Sequence, residues 1–227
     1  MTYLTVSIMV DSAEQALADA ALAAERGADL VEYRLDRFAA DHTAAGQVVT
    51  DSALPCIVTC RPTWEGGEFE GDDGERLALF ESLAALTRPP AYIDVELAIM
   101  QRDPAFAGRM RALADRVGLI YSSHDFDQRP ADLYRRIQAM ADDDGCRVMK
   151  VAWASRSLRD NLQAFELLAD AHKPTIALCM GEAGLPSRVL AKKFSAMLTF
   201  AGLDDRNITA PGQVGVAKMK SLYRWDS

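Results

Sequence analysis

Short apolar runs rich in Val, Ile, Leu and Ala alternate with longer segments rich in Ala, Leu, Arg and Glu along almost the whole chain. The short runs predict buried strands, and the longer segments predict helices. The predicted strands cover residues 4–10, 29–35, 56–61, 91–96, 118–122, 147–151, 175–180 and 196–200. The predicted helices include residues 13–26, 74–87, 104–115, 130–141, 158–171, 186–195 and 214–222.

This alternation predicts the fold class. Eight strand and helix units in 227 residues favour a (β/α)8 barrel, although such barrels more often have about 250 residues. An open, doubly wound sheet is the alternative. No repeat, low-complexity tract or linker interrupts the chain, so we expect residues 1–227 to form a single catalytic domain. Because the first predicted strand starts at once, we expect no N-terminal hairpin that would cover the barrel floor.

The charged positions within the predicted strands distinguish the barrel from the open sheet. Strand side chains alternate between two faces, so Glu32, Arg34 and Asp36 share one face of the second strand. The fourth strand carries two carboxylates on one face, and the sixth carries Lys150. A parallel strand that is covered on both sides by helices should be apolar on both faces. A barrel interior that opens into a solvated pocket explains the charges, and the pattern therefore predicts a polar site there.

Composition and charge exclude several classes of protein. Lys and Arg number 25 and Asp and Glu 33, so the net charge of −8 disfavours a nucleic-acid or anionic-membrane surface. No apolar run approaches the roughly 20 residues of a membrane helix, and the first residues do not resemble a signal peptide. We therefore expect a cytoplasmic protein.

The four cysteines lie within or at the end of apolar runs, and none belongs to a C-x-x-C pair. They are Cys56, Cys60, Cys146 and Cys179. This pattern favours buried, reduced thiols over a metal or redox site.

Lys150 is the most informative residue for chemistry. It is the first of six lysines and lies near the end of an apolar strand, where a solvating side chain is not expected. The structural interpretation is an ion pair with Glu96 or Asp94. The functional interpretation is a nucleophile that forms a Schiff base with a carbonyl compound. The residue types leave both interpretations open.

His124 is the best candidate for acid–base chemistry among the three histidines. His42 lies in a predicted polar loop and His172 at a predicted helix end, so we expect both to be either exposed and without a role or cations at a helix terminus. His124 follows the predicted fifth strand and is expected at the carboxyl end of the barrel, where catalytic groups collect. A lone histidine is more often structural, but its position one strand before Lys150 favours a general acid or base.

Two loops and one arginine complete the candidates. Arg61 ends the third strand and opens the segment R-P-T-W-E-G-G-E, which is either a simple turn or a closing lid.

Arg188 is predicted in the first turn of a helix, where a bound carboxylate would offset the unfavourable position of a cation near the positive end of the helix dipole. Otherwise it is a solvated cation. A Gly/Pro loop that includes Gln213 follows the eighth strand.

Seven segments, each near the end of a predicted strand, together resemble the type I 3-dehydroquinate dehydratase family. In chain order they are E-Y-R-L-D (32–36), C-R-P-T-W-E-G-G (60–67), I-D-V-E-L (93–97), S-H-D-F (123–126), M-K-V-A (149–152), residues 180–188 and A-P-G-Q (210–213). Each segment alone is weak evidence for the family. The occurrence of all seven in this order is specific to it, and the resemblance spans nearly the whole chain.

The resemblance implies a Schiff-base enzyme of the shikimate pathway that converts 3-dehydroquinate to 3-dehydroshikimate and water without a metal or coenzyme. It implies that Lys150 forms the imine, that His124 is the general acid and base, and that Glu65 orients the histidine. Arg188 would clamp the substrate carboxylate. The substrate-binding residues that it implies are Glu32, Arg34, Arg61, Arg188, Gln213, Thr209, Met180 and Phe200. Relatives are often homodimers, so a homodimer is expected by analogy.

The sequence departs from the family pattern in three places. Thr209 stands where relatives generally have serine, which keeps the hydroxyl and adds a methyl group. Leu178 replaces a second methionine that is common in bacterial relatives. The third departure is the expected absence of the hairpin at the barrel floor.

Two other functions compete with this interpretation. A class I aldolase that acts on a sugar phosphate would also use a barrel lysine, but Glu182 places a carboxylate where the phosphate would lie. A barrel that only binds a ligand is the other alternative, since a fold alone does not prove activity. The presence of Lys150, His124 and Arg188 disfavours it.

Overall fold

The computed structural model describes residues 1–204 and 212–226, and in these residues eight parallel strands alternate with helices. The strands are β1 (Tyr3–Met9), β2 (Leu30–Arg34), β3 (Cys56–Thr59), β4 (Tyr92–Glu96), β5 (Gly118–Asp125), β6 (Val148–Ala154), β7 (Thr175–Met180) and β8 (Leu198–Ala201). The helices are α1 (Ala13–Glu25), α2 (His42–Thr50), α3 (Asp73–Ala84), α4 (Leu97–Arg102), α5 (Pro104–Arg111), α6 (Leu133–Ala141), α7 (Asp160–Ala169), α8 (Leu185–Val189) and α9 (Val216–Ser221). Short 3-10 turns cover Thr63–Glu65, Glu182–Gly184 and Ala191–Phe194.

The strands form a nearly closed barrel, which confirms the predicted fold class. Their order in the sheet is β7-β6-β5-β4-β3-β2-β1-β8, so β1 pairs with both β2 and β8. At the remaining junction the Met197 N–H donates to the Thr175 carbonyl at 2.8 Å. No ladder joins β7 to β8 in the part of the chain that the structure describes.

Side chains from the amino-terminal halves of the strands fill the barrel floor. They belong to an apolar cluster that is separate from the core between the strands and the helices. The floor residues of this cluster are Leu30, Ile57, Ile120, Val148, Ile176 and Leu198, with Tyr3 and Tyr92 packed against it. Because these side chains occupy the interior, the lower end of the barrel is packed as in other barrels of this class. The pocket therefore lies at the opposite, carboxyl end.

Helix α2 corrects the prediction that His42 lies in a polar loop. Asp41 caps this helix by accepting a hydrogen bond from the Ala44 N–H at 2.9 Å, and His42 is its exposed first residue. The helix contains Gly46 and consecutive β-branched residues, which have low helix propensity. Burial of one face, which includes Val48, offsets this low propensity.

Strands β5 and β6 are longer than the sequence predicts. Their ladder continues through the pair His124 and Ala152 to Asp125 and Trp153, so His124 lies within β5 and not after it. The polar run of serines and histidine indicated a loop, but strand pairing decides the conformation here.

Two further expectations concern burial and membrane crossing. All four cysteines are free and buried, as predicted. None of the described helices combines the length and the apolar character needed to cross a membrane.

Candidate active site

A pocket opens at the carboxyl end of the barrel and brings together ten of the eleven predicted site residues. These are Glu32, Arg34, Arg61, Glu65, His124, Lys150, Met180, Arg188, Phe200 and Gln213. Thr209, the eleventh, lies outside the described residues. The pocket is also lined by Gly66, Phe126, Ala152 and Leu178.

Lys150 lies inside the barrel on β6 and is only 5% exposed. Its Nζ donates to Asp94 Oδ2 at 2.6 Å and lies 3.7 Å from Glu32 Oε1. The face of the Phe200 ring is also close, with its centroid 4.7 Å from Nζ. The ion pair with Asp94 was one of the two open interpretations of this lysine. Since Lys150 also lines the pocket, the ion pair does not exclude a nucleophile.

The Lys150–Asp94 pair is the end of a longer chain of buried charges. Arg61 donates to Asp94 Oδ1 and to Glu96 Oε1, each at 2.7 Å. Arg76 of α3 donates to the other oxygen, Glu96 Oε2, at 2.5 Å. Positive and negative groups thus alternate along the chain, and each buried charge has a partner of opposite sign.

The electrostatics of Asp94 follow from this chain. Burial alone raises the pKa of its carboxyl, but the charges of Arg61 and Lys150 outweigh burial and hold the pKa well below its usual range. Asp94 is therefore a carboxylate at neutral pH. Arg61 was predicted to contact substrate, and its guanidinium already binds two carboxylates and is 4% exposed.

Part of this charge network could not be predicted from the sequence. The face pattern of the fourth strand indicated that Asp94 and Glu96 point inward, yet it did not assign them to the site. Arg76 gave no signal, because an arginine on an amphipathic helix is typical of a solvated surface, whereas here it is fully buried.

Glu32 and Arg34 are each held by neighbouring side chains. The Ser7 and Thr59 hydroxyls donate to the two oxygens of Glu32 at 2.6 and 2.9 Å. Arg34 makes a bidentate pair with Asp36, at 3.1 and 2.5 Å. The side chains of Glu32 and Arg34 are thereby each fixed in one orientation, which is the organisation that precise recognition requires.

His124 and Glu65 form a second hydrogen-bonded unit. Glu65 Oε1 lies 3.0 Å from His124 Nδ1 and also accepts the backbone N–H of His124 at 3.0 Å. Burial lowers the pKa of His124 well below its ordinary value, and the charges of Arg61 and Lys150 lower it further. The imidazole is therefore neutral near pH 7. When Nδ1–H donates to an ionised Glu65, Nε2 is left with a lone pair.

A tight turn after β3 brings Glu65 to the histidine. The turn Thr63–Glu65 ends at Gly66, whose φ of +74° is a backbone conformation that suits glycine. A Cβ on Gly67 would lie 2.0 Å from the Arg61 carbonyl oxygen, so only glycine allows this approach. Asp36 pins both ends of the segment by accepting the N–H groups of Arg61 and Glu68, at 3.0 and 3.1 Å.

Arg188 reaches the pocket from α8, which has only five residues. The predicted helix 186–195 is therefore wrong in length. The prediction that Arg188 lies at the positive end of a helix dipole is wrong as well, because Arg188 lies in the last turn of the short helix α8. It is 2% exposed, and burial lowers its pKa to about 10. The Ser187 N–H donates to Asn161 Oδ1 at 3.0 Å, which ties α8 to α7. Asn161 is a second residue that sequence analysis missed.

The remaining wall of the pocket is apolar. Met180 and Phe200 lie there with Ala152 and Leu178, the position where relatives often have a second methionine. This wall faces a charged half, so the pocket suits a small polar molecule that also has a hydrocarbon face.

The fold and the pocket define the class of the protein, a (β/α)8 barrel with ionisable groups gathered at the carboxyl ends of its strands. The sequence profile of the type I 3-dehydroquinase family matches residues 4–227. The chain belongs to the type I 3-dehydroquinase family, as the resemblance predicted.

Individual relatives agree with this assignment. The chain is 36% identical over 203 residues to a 3-dehydroquinate dehydratase of Desulfotalea psychrophila, covering 87% of each protein. It is 34% identical to a bifunctional 3-dehydroquinate dehydratase/shikimate dehydrogenase of Arabidopsis thaliana, covering 96% of this chain but only 36% of the plant protein. A crystal structure of 3-dehydroquinate dehydratase from Geobacillus kaustophilus superposes with a TM-score of 0.83 at 22% identity, over 99% of this chain and 91% of that one. This last likeness shows the fold alone.

Proposed function

We propose that the protein is a 3-dehydroquinate dehydratase of the shikimate pathway and that it removes water through an imine on Lys150. The observation that carries this proposal is one pocket that holds the buried Lys150 amine and a neutral His124 bound by Glu65. Membership of the type I 3-dehydroquinase family supports the substrate. The relatives whose names state this activity support the reaction.

The first step joins substrate and protein. The neutral Lys150 amine attacks the C3 ketone carbon, and the resulting carbinolamine takes up a proton and loses water to give a protonated imine. Asp94 remains ionised beside this nitrogen and stabilises its positive charge. The imine withdraws electrons from C2, which makes the C2 proton acidic.

The second step is the elimination. His124 Nε2 accepts the C2 proton, and the electron pair of that C–H bond moves into the new C2–C3 double bond of a neutral enamine. The enamine then expels the C1 hydroxyl, which takes the proton back from the imidazolium and leaves as water. Hydrolysis of the conjugated imine consumes the water lost earlier, frees Lys150 and releases 3-dehydroshikimate. One molecule of water is lost overall.

Substrate binding would use the other charged and polar groups that line the pocket around Lys150. Arg188, a desolvated cation at the pocket wall, suits the ring carboxylate. Glu32, Arg34 and Gln213 border the pocket where the ring hydroxyls would lie, and Phe200 belongs to the apolar wall.

Reductive trapping tests the proposal. The protein is mixed with 3-dehydroquinate and borohydride, its intact mass is measured, and the modified peptide is mapped. We expect one adduct on Lys150, no adduct in K150A, and an adduct without turnover in H124A. A folded protein that forms no adduct, or K150A with substantial activity, would contradict the mechanism. Sugar phosphates should not compete, whereas a class I aldolase would be inhibited by them.

The homodimer that the resemblance implies stays a prediction. Sedimentation equilibrium of the full chain measures the mass of the particle directly. A mass close to 50 kDa would support the dimer, whereas a mass close to the 24.8 kDa of one chain would contradict it.

A further inference from the structure

A buried arginine on the helical side of the barrel joins the charged chain that ends at the reactive lysine. Arg76 belongs to α3 and is fully buried, and its Nη2 donates to Glu96 Oε2 at 2.5 Å. Glu96 Oε1 accepts from Arg61, whose second terminal nitrogen binds Asp94. Asp94 in turn accepts from Lys150. Four contacts of 2.5 to 2.7 Å therefore connect a helix residue to the amine.

The surroundings of Arg76 indicate that its charge matters more than its packing. Its guanidinium lies 6.0 Å from the ring centroids of both Phe80 and Phe106. Its Nε and Nη1 find no hydrogen-bond acceptor among the described residues, although Asp73 lies 3.7 Å from Nη1. An apolar side chain would fill such a space without the cost of desolvating a cation. The ion pair with Glu96 is therefore what the arginine adds.

The buried part of this charge network is electrically balanced only when Arg76 is counted. Its three buried cations are Arg76, Arg61 and Lys150, and its three buried carboxylates are Glu96, Asp94 and Glu32. Asp73 also lies 3.7 Å from Arg76, but its side chain is 29% exposed and solvent screens its charge. Without Arg76, three buried carboxylates would face two cations. Arg61 would then neutralise Glu96 more fully and Asp94 less fully. The excess negative charge would be shared with the remaining cation, the amine.

We propose that Arg76 is a positioning residue for imine formation at Lys150, although it does not line the pocket. This inference rests on the proposed function. By neutralising Glu96, Arg76 lets Arg61 hold Asp94 in place, and Asp94 orients the amine toward the pocket. Loss of Arg76 leaves Glu96 to draw Arg61 away from Asp94, and it loosens the carboxylate that directs the amine.

The expected size follows from Coulomb's law. Removing one unit charge about 10 Å from the amine, at an effective dielectric constant of about 20, shifts the equilibrium between the oriented and the displaced amine about tenfold. We therefore expect R76M to form the imine about tenfold more slowly than the unsubstituted protein. Arg188, the residue proposed to bind the substrate carboxylate, does not belong to this row of buried charges. KM should therefore stay within about twofold while kcat falls.

The experiment measures the rate of imine formation by quenching with borohydride at successive times, together with kcat and KM. R76M/E96Q removes one charge of each sign, and we expect it to recover most of the rate that R76M loses. R76K keeps the charge and should stay within about threefold of the unsubstituted protein. R109M is the matched control, because Arg109 pairs with Glu81 on the surface and is 58% exposed.

Each outcome decides the question. Equal rates of imine formation in R76M and R109M would overturn the role of Arg76. An R76M/E96Q variant no faster than R76M would also overturn it, because restoring charge balance does not repair a purely structural defect. If R76M does not fold, R76K and R76M/E96Q carry the test, and a tenfold slower imine in both would contradict the proposal. No adduct in the unsubstituted protein would overturn the proposed function and this inference together.

Discussion

Glu65 is expected to lower the free energy of unfolding as the pH rises, because its carboxyl is buried beside His124. The change that tests this is E65Q. Burial raises the pKa of the Glu65 carboxyl from its ordinary value of 4.5 to about 7, and the charge of Arg61 offsets only part of that effect. The glutamine oxygen can still accept both N–H groups of His124. E65Q therefore removes the titration and keeps the hydrogen bonds.

The magnitude follows from linkage. A carboxyl whose pKa is higher in the folded protein than in the unfolded chain stabilises the fold fully below the lower value, and it loses that stabilisation as the pH rises through the higher one. Each pH unit between the two values is worth about 1.4 kcal/mol. Between pH 4.5 and pH 8, Glu65 should therefore reduce the free energy of unfolding by about 3 kcal/mol, and E65Q should not show this loss.

Urea unfolding between pH 5 and pH 8, followed by tryptophan fluorescence, to which the buried Trp153 contributes, measures the effect. Glu68 is in the same loop, pairs with the exposed Arg37 and provides the matched control E68Q. E68Q should keep the pH dependence of the unsubstituted protein. If E65Q also keeps it, the argument from burial is refuted.

The activity should change in the opposite direction. An ionised Glu65 fixes Nδ1–H of His124, so kcat/KM of the unsubstituted protein should fall below about pH 7, where Glu65 takes up a proton. The pKa of His124 lies well below its ordinary value, so the histidine does not produce this fall. E65Q should have a lower plateau, by about tenfold, because a neutral acceptor stabilises the imidazolium less. Its profile should also be flat through pH 7, and a fall near pH 7 in E65Q would assign the titration to another group.

Three other changes test separate parts of the site. D94N removes the carboxylate that two buried cations, Arg61 and Lys150, share, and it should reduce the free energy of unfolding by about 3 to 5 kcal/mol at pH 7, measured in urea. A loss under about 1 kcal/mol would contradict the buried network. R188M should raise KM about 10- to 100-fold in steady-state assays, and an unchanged KM would place the substrate carboxylate elsewhere. G67A should cost about 1 to 3 kcal/mol of stability, because its Cβ would meet the Arg61 carbonyl oxygen, and it should lower kcat by displacing Glu65; wild-type kcat would show that the loop can shift freely.

The sequence could predict the barrel because the relevant signals are local. Apolar runs of strand length identify all eight strands, and the alternation of side chains within one strand places Glu32 and Lys150 on the inner face. The candidate residues at strand ends converge because the carboxyl ends of parallel strands meet at one rim. For these residues, position along a strand already decides position in space.

The remaining features depend on contacts between distant segments. The Arg76–Glu96 pair joins a helix to a strand, and no spacing in the sequence specifies that contact. His124 belongs to β5 because β6 continues beside it, although its own neighbours are polar. Arg188 is held by a helix that ends after five residues and by Asn161 on another helix. His124 and Arg188 could thus be identified as candidates from the sequence, but their surroundings could not be predicted. Arg76 and Asn161 could not be identified at all, because only tertiary packing brings them to the site.

The ladder between β1 and β8 has a consequence for the order in which the barrel forms. It pairs Tyr3 with Leu198, whereas β1 and β2 pair residues as near as Thr5 and Leu30. Closing a loop costs entropy that grows with the logarithm of its length, about 3 kcal/mol for the short loop and about 5 kcal/mol for the long one. The β1–β8 ladder is thus the costliest to nucleate and should be the slowest to form during folding. Until it forms, Phe200 cannot reach Lys150, so a folding intermediate with seven paired strands would have no complete pocket.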